Sequence, residues 1–377
     1  MRSLGTILAV SYKEYLQMRR DPFSVALAVL LPALEIVLFG FVFSAGTGGE
    51  HLKTVVLDEE RTVESRSLVE AFQSSGYFDL RGDVWTREAL EEAIRSGRAL
   101  VGVRIPSGYA RTLARGGRAE IQLVIDGVDP KLALSALNAS AAIGQVKTAE
   151  YLGTGLVASR AMDTRIEVSP LILFNPFLKD AKFIIPGLIG VVLSDIGIIL
   201  ATFAIVRERE RGTLEQLIVS PVQSLHLILG KILPYMFLAV VDTFLVLGIA
   251  RLIFDLRVAG SFGLLMGMCL VFFFCVLGIG LVISSAVENQ MQALLLAIVF
   301  IIPPIFLSGL VFPREPMLPI LRYIGYAFPL TYFVGISRAI ILKGVGLSYI
   351  WTDVAALLGF ATIVLSLSVV RFRKILG

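Results

Sequence analysis

Residues 207–211 read Arg-Glu-Arg-Glu-Arg, and they follow without a break from an apolar run that ends at Val206. Guanidinium and carboxylate groups alternating in this way are suited to ion pairs and charge-assisted hydrogen bonds with a partner surface. Gly212 can take the left-handed backbone that ends a helix. Thr213 is placed to cap a new one, and Gln216 three residues on completes a Thr-x-x-Gln capping box. Glu215 sets an anion in the first turn, where the helix dipole favours it. Ser220-Pro221 then stops the helix after about two turns, since a residue before proline avoids helical geometry. The expectation is a charged elbow over 207–222 carrying a short amphipathic helix, with Leu214, Leu217 and Ile218 on one side. It reads either as a docking element for a cytosolic partner or as an ordinary juxtamembrane loop obeying the positive-inside rule.

No other group of residues points to covalent chemistry. The two histidines, His51 and His226, give no metal constellation, and no Ser/His/Asp or Cys/His arrangement stands out. Cys269 and Cys275 lie six apart in one apolar helix, on different faces, which argues against a disulfide between them. LILGKIL at 227–233 contains Gly-Lys, but Ile232 stands where a phosphate loop needs Ser or Thr for magnesium, and the fragment runs into an apolar helix. LSGL at 307–310 matches part of an ATPase signature yet lies in a membrane span. The chain is therefore expected to have no nucleotide site and no cofactor of its own.

Composition sets the class. Hydrophobic residues make up 56% of the 377 and charged residues 17%, with a mean hydropathy of +0.81, as for a polytopic membrane protein. Residues 50–180 hold 34 of the 64 charges, 16 basic and 18 acidic. The net +4 thus comes from the membrane part, and without a Lys/Arg stripe interleaved with aromatics it is no sign of nucleic-acid binding.

The elements follow from periodicity. Residues 1–22 form a cytosolic interfacial segment, with an amphipathic helix over 4–18 whose Leu4, Leu8, Tyr12 and Tyr15 share a face while Lys13, Glu14, Gln17 and Arg20 point elsewhere. The apolar run 23–43 is too long for a signal-peptide core and reads as a first transmembrane helix. Residues 44–182 alternate strand and helix periods, as a layered α/β domain does. Strands are expected at 54–58, 77–81, 99–105 and 121–126, and helices at 62–74, 86–96 with a Thr86 cap, 107–115 and 130–160. Five further spans are expected at 183–206, 228–250, 262–285, 291–312 and 350–370. The proline-rich stretch 313–345 reads as re-entrant or interfacial helices. Eleven Lys/Arg (Arg2, Lys13, Arg19, Arg20, Arg207, Arg209, Arg211, Lys231, Arg371, Arg373 and Lys374) flank one side, against five (Arg257, Arg314, Arg322, Arg338 and Lys343) on the other. Both termini and the elbow are therefore expected in the cytosol, and the α/β domain outside.

Four ionisable residues fall within or at the edge of spans: Glu35, Asp195, Asp242 and Glu288. Charges at membrane depth are costly and line a cavity or find a partner. Glu35 and Asp195, the deepest, are candidates for a translocation path, or else packing hydrogen bonds between helices. Asp242 reads as pairing with a neighbouring helix, and Glu288 as solvated at a helix end.

Taken together, the chain resembles the ABC-2 family of transporter permeases, of the drug-export type with a large extracytoplasmic domain after the first span. The resemblance covers nearly the whole length. It rests on KEYLQMRRDP at 13–22, VVLDEERTVESRSLVEAFQSSGYF at 55–78, IPGLIGVVL at 185–193, RERERGTLEQLIVSPV at 207–222, LGKILPY at 229–235, LSGLVFP at 307–313 and ISRAIILKG at 336–344. It implies a six-helix membrane protein with an inserted extracytoplasmic α/β domain, acting as the transport subunit of an exporter in the inner membrane. It implies as partners an ABC ATPase subunit that binds ATP and magnesium, a second permease chain (homo- or heterodimer), a periplasmic adaptor in some members, and membrane lipids. By resemblance, ATPase coupling falls to Lys13 and Glu14 of the N-terminal helix and to Arg207, Glu208, Arg209, Glu210, Gly212, Thr213, Glu215 and Gln216 of the elbow. The alternatives are an ion-driven secondary transporter, which would want grouped intramembrane charges and an internal repeat, and a membrane receptor with an extracytoplasmic sensing domain.

Overall fold

The computed structural model describes residues 11–13, 15–16, 51–153, 165–212, 224–311, 314 and 317–376. The chain divides into two compact units, one of residues 45–183 with 315–317, the other of 1–44, 184–314 and 318–377.

The first unit is an α/β layer structure. In chain order it runs β1 (Leu52–Asp58), α1 (Val63–Ser74), β2 (Phe78–Asp83), α2 (Arg87–Arg95), β3 (Val101–Ile105), α3 (Tyr109–Ala114), β4 (Arg118–Asp126), α4 (Pro130–Gly153) and β5 (Arg165–Leu173). The sheet order is β2-β1-β3-β4-β5. β1 is parallel to β2 and β3, β4 is antiparallel to β3, and β5 is parallel to β4. The two-residue period of the strands sorts the core into two layers. Leu52 and Val56 pack with Leu68 and Phe72 of α1, Leu113 of α3 and Ala136 of α4, while Val55 and Leu57 pack with Leu90 and Ile94 of α2. Gly102 sits under α2, where a Cβ would come within 2.5 Å of Leu90. Thr62 caps α1 in a reciprocal box with Ser65, and Thr86 caps α2 by accepting from Ala89 N–H at 3.1 Å.

Strand β5 is an element that the sequence reading did not anticipate. The long helix expected over 130–160 is described to Gly153, residues 154–164 lie outside the described set, and the chain returns along β4 at 165–173.

The second unit is helical: α5 (Asp180–Glu210), α6 (Ser224–Phe254), α7 (Phe262–Ser284), α8 (Gln290–Leu307), α9 (Pro319–Gly325), α10 (Pro329–Arg338) and α11 (Leu347–Leu376). Five helical stretches among the described residues are long and apolar enough to cross a membrane: Asp180–Glu210, Leu233–Phe254, Phe262–Ser284, Gln290–Leu307 and Leu347–Arg371. The first span expected at 23–43 lies outside the described residues. Pro319–Gly325 and Pro329–Lys343 meet at 87°, so the proline-rich stretch is a bent helix pair. Four expected spans are corrected. α6 runs Ser224–Phe254 where 228–250 was expected. α5 does not end at Val206 but runs on to Glu210, because its backbone ladder continues into the charged residues, with Arg211 N–H on Arg207 C=O at 3.1 Å. α8 ends at Leu307 rather than 312, where Ser308 takes over as C-cap. α11 extends beyond 350–370 at both ends.

Helix α7 is the central post. Thr202 of α5 donates to the carbonyl of Gly280 at 3.1 Å, and Ser368 of α11 donates to Gly278 at 3.1 Å. Both glycines matter for contact: a Cβ on Gly280 would stand 2.8 Å from Ala201 Cβ and Ile198 O, and one on Gly278 2.8 Å from Val364. Small residues with hydroxyl-to-carbonyl bonds are how helices approach closely where no hydrophobic effect drives them together. Cys269 and Cys275 are both buried and free, and Cys275 Sγ points at Leu357 O, 3.3 Å away on α11. Phe272 stacks on Phe333 of α10 with ring centroids 4.5 Å apart.

Arg338 closes the end of α8. Its guanidinium donates to the carbonyls of Gly309 at 2.9 Å and Leu310 at 3.1 Å. The chain then widens into a π-helical turn, Ala339–Lys343, which Gly344 ends with φ 67°. The carbonyls of Ile340 and Ile341 turn outward and accept from Gly260 N–H at 3.0 Å and Ala259 N–H at 2.9 Å, in the α6–α7 connection.

Candidate coupling site at the charged end of α5

The last turn of α5 places Arg207, Glu208, Arg209 and Glu210 around the helix, so successive side chains point in different directions. Each of the last three has its own partner. Glu208 is buried, at 4% exposure, and Lys13 of the N-terminal segment meets it with Nζ 2.5 Å from Oε1. A carboxylate buried this deeply needs such a cation, because an unpaired buried charge is strongly destabilising. Arg209 donates through Nη1 to the carbonyl of Val287, in the turn between α7 and α8. Glu210 receives both the backbone N–H of Gln290, at 2.9 Å, and its side-chain amide.

Two further contacts complete the cluster. Ser11 donates to the carbonyl of Gly230 in α6 at 2.8 Å. The α7–α8 turn is itself fixed: Asn289 Oδ1 accepts from Gln292 N–H at 2.9 Å, and Gln292 Oε1 accepts from Glu288 N–H at 3.0 Å. Residues 11–13, the end of α5 and the 285–290 turn are therefore tied by contacts that converge on three consecutive positions, 208–210, and Ser11 adds the tie to α6. Gly212 takes φ 66°, the left-handed value, after Glu210. The cluster ties the end of α5 to residues 11–13 and to the α7–α8 turn by side-chain contacts.

The sequence-selected residues thus divide into those brought together and those elsewhere. Lys13, Glu208, Arg209 and Glu210 join in the cluster, and Arg207 and Arg211 border it. Glu14, Thr213, Glu215, Gln216 and Glu35 lie outside the described residues. Asp195 is buried on α5, well along the helix from the cluster. Asp242 is fully buried on α6, and among the described residues neither of its carboxyl oxygens has a hydrogen-bond partner, so the pairing expected for it is not seen. Glu288 is exposed in the α7–α8 turn. Sequence reasoning missed Val287, Asn289 and Gln290; the one available signal was an Asn-Gln pair opening an apolar run with the spacing of a helix cap. Among the described residues no group of three or more His, Cys, Asp or Glu is placed to hold a metal ion.

A family model described as "ABC-2 family transporter protein" matches residues 23–370. Two Escherichia coli proteins named as probable multidrug ABC transporter permeases are similar over most of their length. YbhR is 28% identical over 363 residues, covering 96% of each chain. YbhS is 29% identical over 343 residues, covering 90% of this chain and 89% of its own. The Escherichia coli inner membrane transport permease YhhJ is 26% identical over 394 residues, covering all of this chain and 99% of its own.

Proposed function

Because the chain belongs to the ABC-2 transporter family, we propose that it is the permease subunit of an ATP-driven exporter, working with a separate ATPase and a second permease chain. It moves an amphipathic or hydrophobic compound, drug- or lipid-like, outward across the cytoplasmic membrane. The names of the Escherichia coli relatives, multidrug permeases, support that substrate class. Six spans, counting 23–43, leave both termini in the cytosol and the α/β unit outside, where it meets the exported compound or a periplasmic adaptor.

The observation that carries this reading is the convergence on 208–210. In it, residues 11–13 and the end of α5 are joined by the Lys13–Glu208 pair. ATP and magnesium act in the partner, whose movement reaches the elbow and, through Arg209 and Glu210, the α7–α8 turn. The test is reconstitution. The isolated chain should hydrolyse no ATP. On addition of its ATPase, a complex should form that hydrolyses ATP and exports, and Glu215→Arg should weaken that complex. Nucleotide turnover by the isolated chain would sink the assignment; a Glu215→Arg complex indistinguishable from the parent would remove the coupling role given to Glu215.

A further inference from the structure

A seam runs between α10 and α11. Tyr332, Gly335 and Ala339 repeat at helical spacing on α10, and Asp353, Ala356 and Phe360 do so on α11. None of the six is fully buried. Tyr332 packs on Phe360 with ring centroids 5.8 Å apart, and the Asp353 carboxylate lies over Gly335, where a Cβ would stand 3.2 Å from Oδ2. Arg314, in the connection between α8 and α9, comes to the end of the seam where α11 begins. Its guanidinium carbon stands 4.1 Å from the centre of the Tyr326 ring, and the Tyr332 hydroxyl donates to the carbonyl of Tyr326 at 3.0 Å.

Arg314 and Asp353 are close without meeting. The charge of Arg314 acts on both Asp353 and Tyr332. Yet among the described residues neither Arg314 nor Asp353 makes a hydrogen bond or a direct ion pair, and Arg314 Nε is buried with no partner. A guanidinium stacked on a tyrosine and short of acceptors suits a phosphate, which it can meet with two parallel hydrogen bonds. A half-buried carboxylate at the end of an apolar helix wants a cation, since charges at that depth are costly when left alone. Further along, the seam carries no charge, and α11 exposes Leu358, Ile363 and Leu367 on its long apolar stretch.

We propose that this seam holds a phospholipid whose head carries a phosphate and a primary ammonium, with the phosphate on Arg314, the ammonium on Asp353 and an acyl chain along Tyr332, Ala356 and Phe360. The two charges choose the occupant. A guanidinium and a carboxylate held apart by a short gap match a zwitterion whose own charges are joined by a two-carbon link. An anionic head would satisfy Arg314 but set a second negative group beside Asp353. A soluble zwitterion would meet both charges and leave the aromatic part of the seam without an occupant. The site is separate from the 208–210 cluster and does not depend on the ATPase reading.

The experiment uses the full-length chain in detergent, given equal amounts of phosphatidylethanolamine and phosphatidylglycerol with the same acyl chains. Native mass spectrometry counts the lipid retained. The parent should retain the ethanolamine lipid several-fold over the glycerol lipid, and an excess of soluble glycerophosphoethanolamine should not displace it. Asp353→Asn should lose that preference, and Arg314→Gln should lower retention of both lipids. Arg257→Gln, at an arginine 75% exposed in the α6–α7 connection, should change neither. Equal retention of the two lipids by the parent overturns the proposal, and that comparison requires no variant to fold. Displacement by the soluble head overturns it by making the ligand a free zwitterion. A preference that survives Asp353→Asn overturns it too, because the ammonium is then held elsewhere.

Discussion

Lys13 and Glu208 stand 195 positions apart in the chain, and Nζ of the first lies 2.5 Å from a carboxylate oxygen of the second. The two ends of this pair differ: the Glu208 side chain is 6% exposed and that of Lys13 43%. The carboxylate is the buried partner and the lysine reaches it from the solvent side.

That asymmetry gives the first prediction. Loss of one partner from a fully buried pair costs about 3–5 kcal/mol. Water can reach Lys13 and screen the loss, so Lys13→Ala should cost about 1–2 kcal/mol. Glu208→Gln should be milder, because it removes the buried charge together with its need for a cation. In thermal unfolding of the purified chain, Lys13→Ala should therefore fall below Glu208→Gln, and the double variant should recover part of the loss. Equal effects of the two single changes would mean that the pair is a surface contact.

The second concerns transmission. Gln290 meets Glu210 through its backbone and its amide, but Gln290→Ala removes only the amide contact. The elbow beyond Gly212 is untouched, so ATPase copurification should match the parent. Export per ATP hydrolysed should drop several-fold, with Gln290→Glu worse than Gln290→Ala, since it sets two carboxylates together. Unchanged export in both variants would remove the α7–α8 turn from the coupling route.

Packing supplies the third. Gly280→Ala adds a Cβ within 2.8 Å of Ala201 Cβ and of a backbone oxygen, Ile198 O, on α5. Overpacking of this kind costs about 1–3 kcal/mol. Gly248→Ala on α6 meets nothing within 4 Å and is the control. A drop in melting temperature for position 280 and none for position 248 is the expected result.

The fourth is topological. Glu88 is exposed on α2, whereas the Ser96 hydroxyl is engaged with Glu92 O at 2.7 Å. Glu88→Cys should react with a membrane-impermeant thiol reagent in spheroplasts, and Gln223→Cys should not until the membrane is opened. The opposite pattern would reverse the orientation drawn from the Lys/Arg count.

How far the sequence could be read is clearest at the two places where it ran short. β5 carries Pro170 and alternating charges, Arg165 and Glu167, which suppress a strand reading. It survives as a strand because it is at the sheet edge, where a missing N–H can face away from the ladder. The α7–α8 turn, where only Glu288 was singled out, was underread for a different reason. It has no Lys or Arg to enter a charge count, and its link to Arg209 runs through a main-chain carbonyl, Val287 O, which no side-chain pattern encodes. By contrast the cap at Thr86 and the left-handed Gly212 are local events, and local chemistry was enough to find them. The expected span of 183–206 marked only the apolar part of α5, and the helix runs on to Glu210 before Gly212 ends it. Arg207 and Arg209 complement the negative end of its dipole and let the last turn form.

The π turn at Ala339–Lys343 has a consequence in time as well as in shape. Its outturned carbonyls hold the amides of Ala259 and Gly260, which belong to a connection between helices and would otherwise be free to open on their own. Those two amides can exchange with solvent deuterium only when the π turn lets go, so their protection is set by the opening of α10 and its extension. A surface loop is thereby given the slow clock of a buried helix.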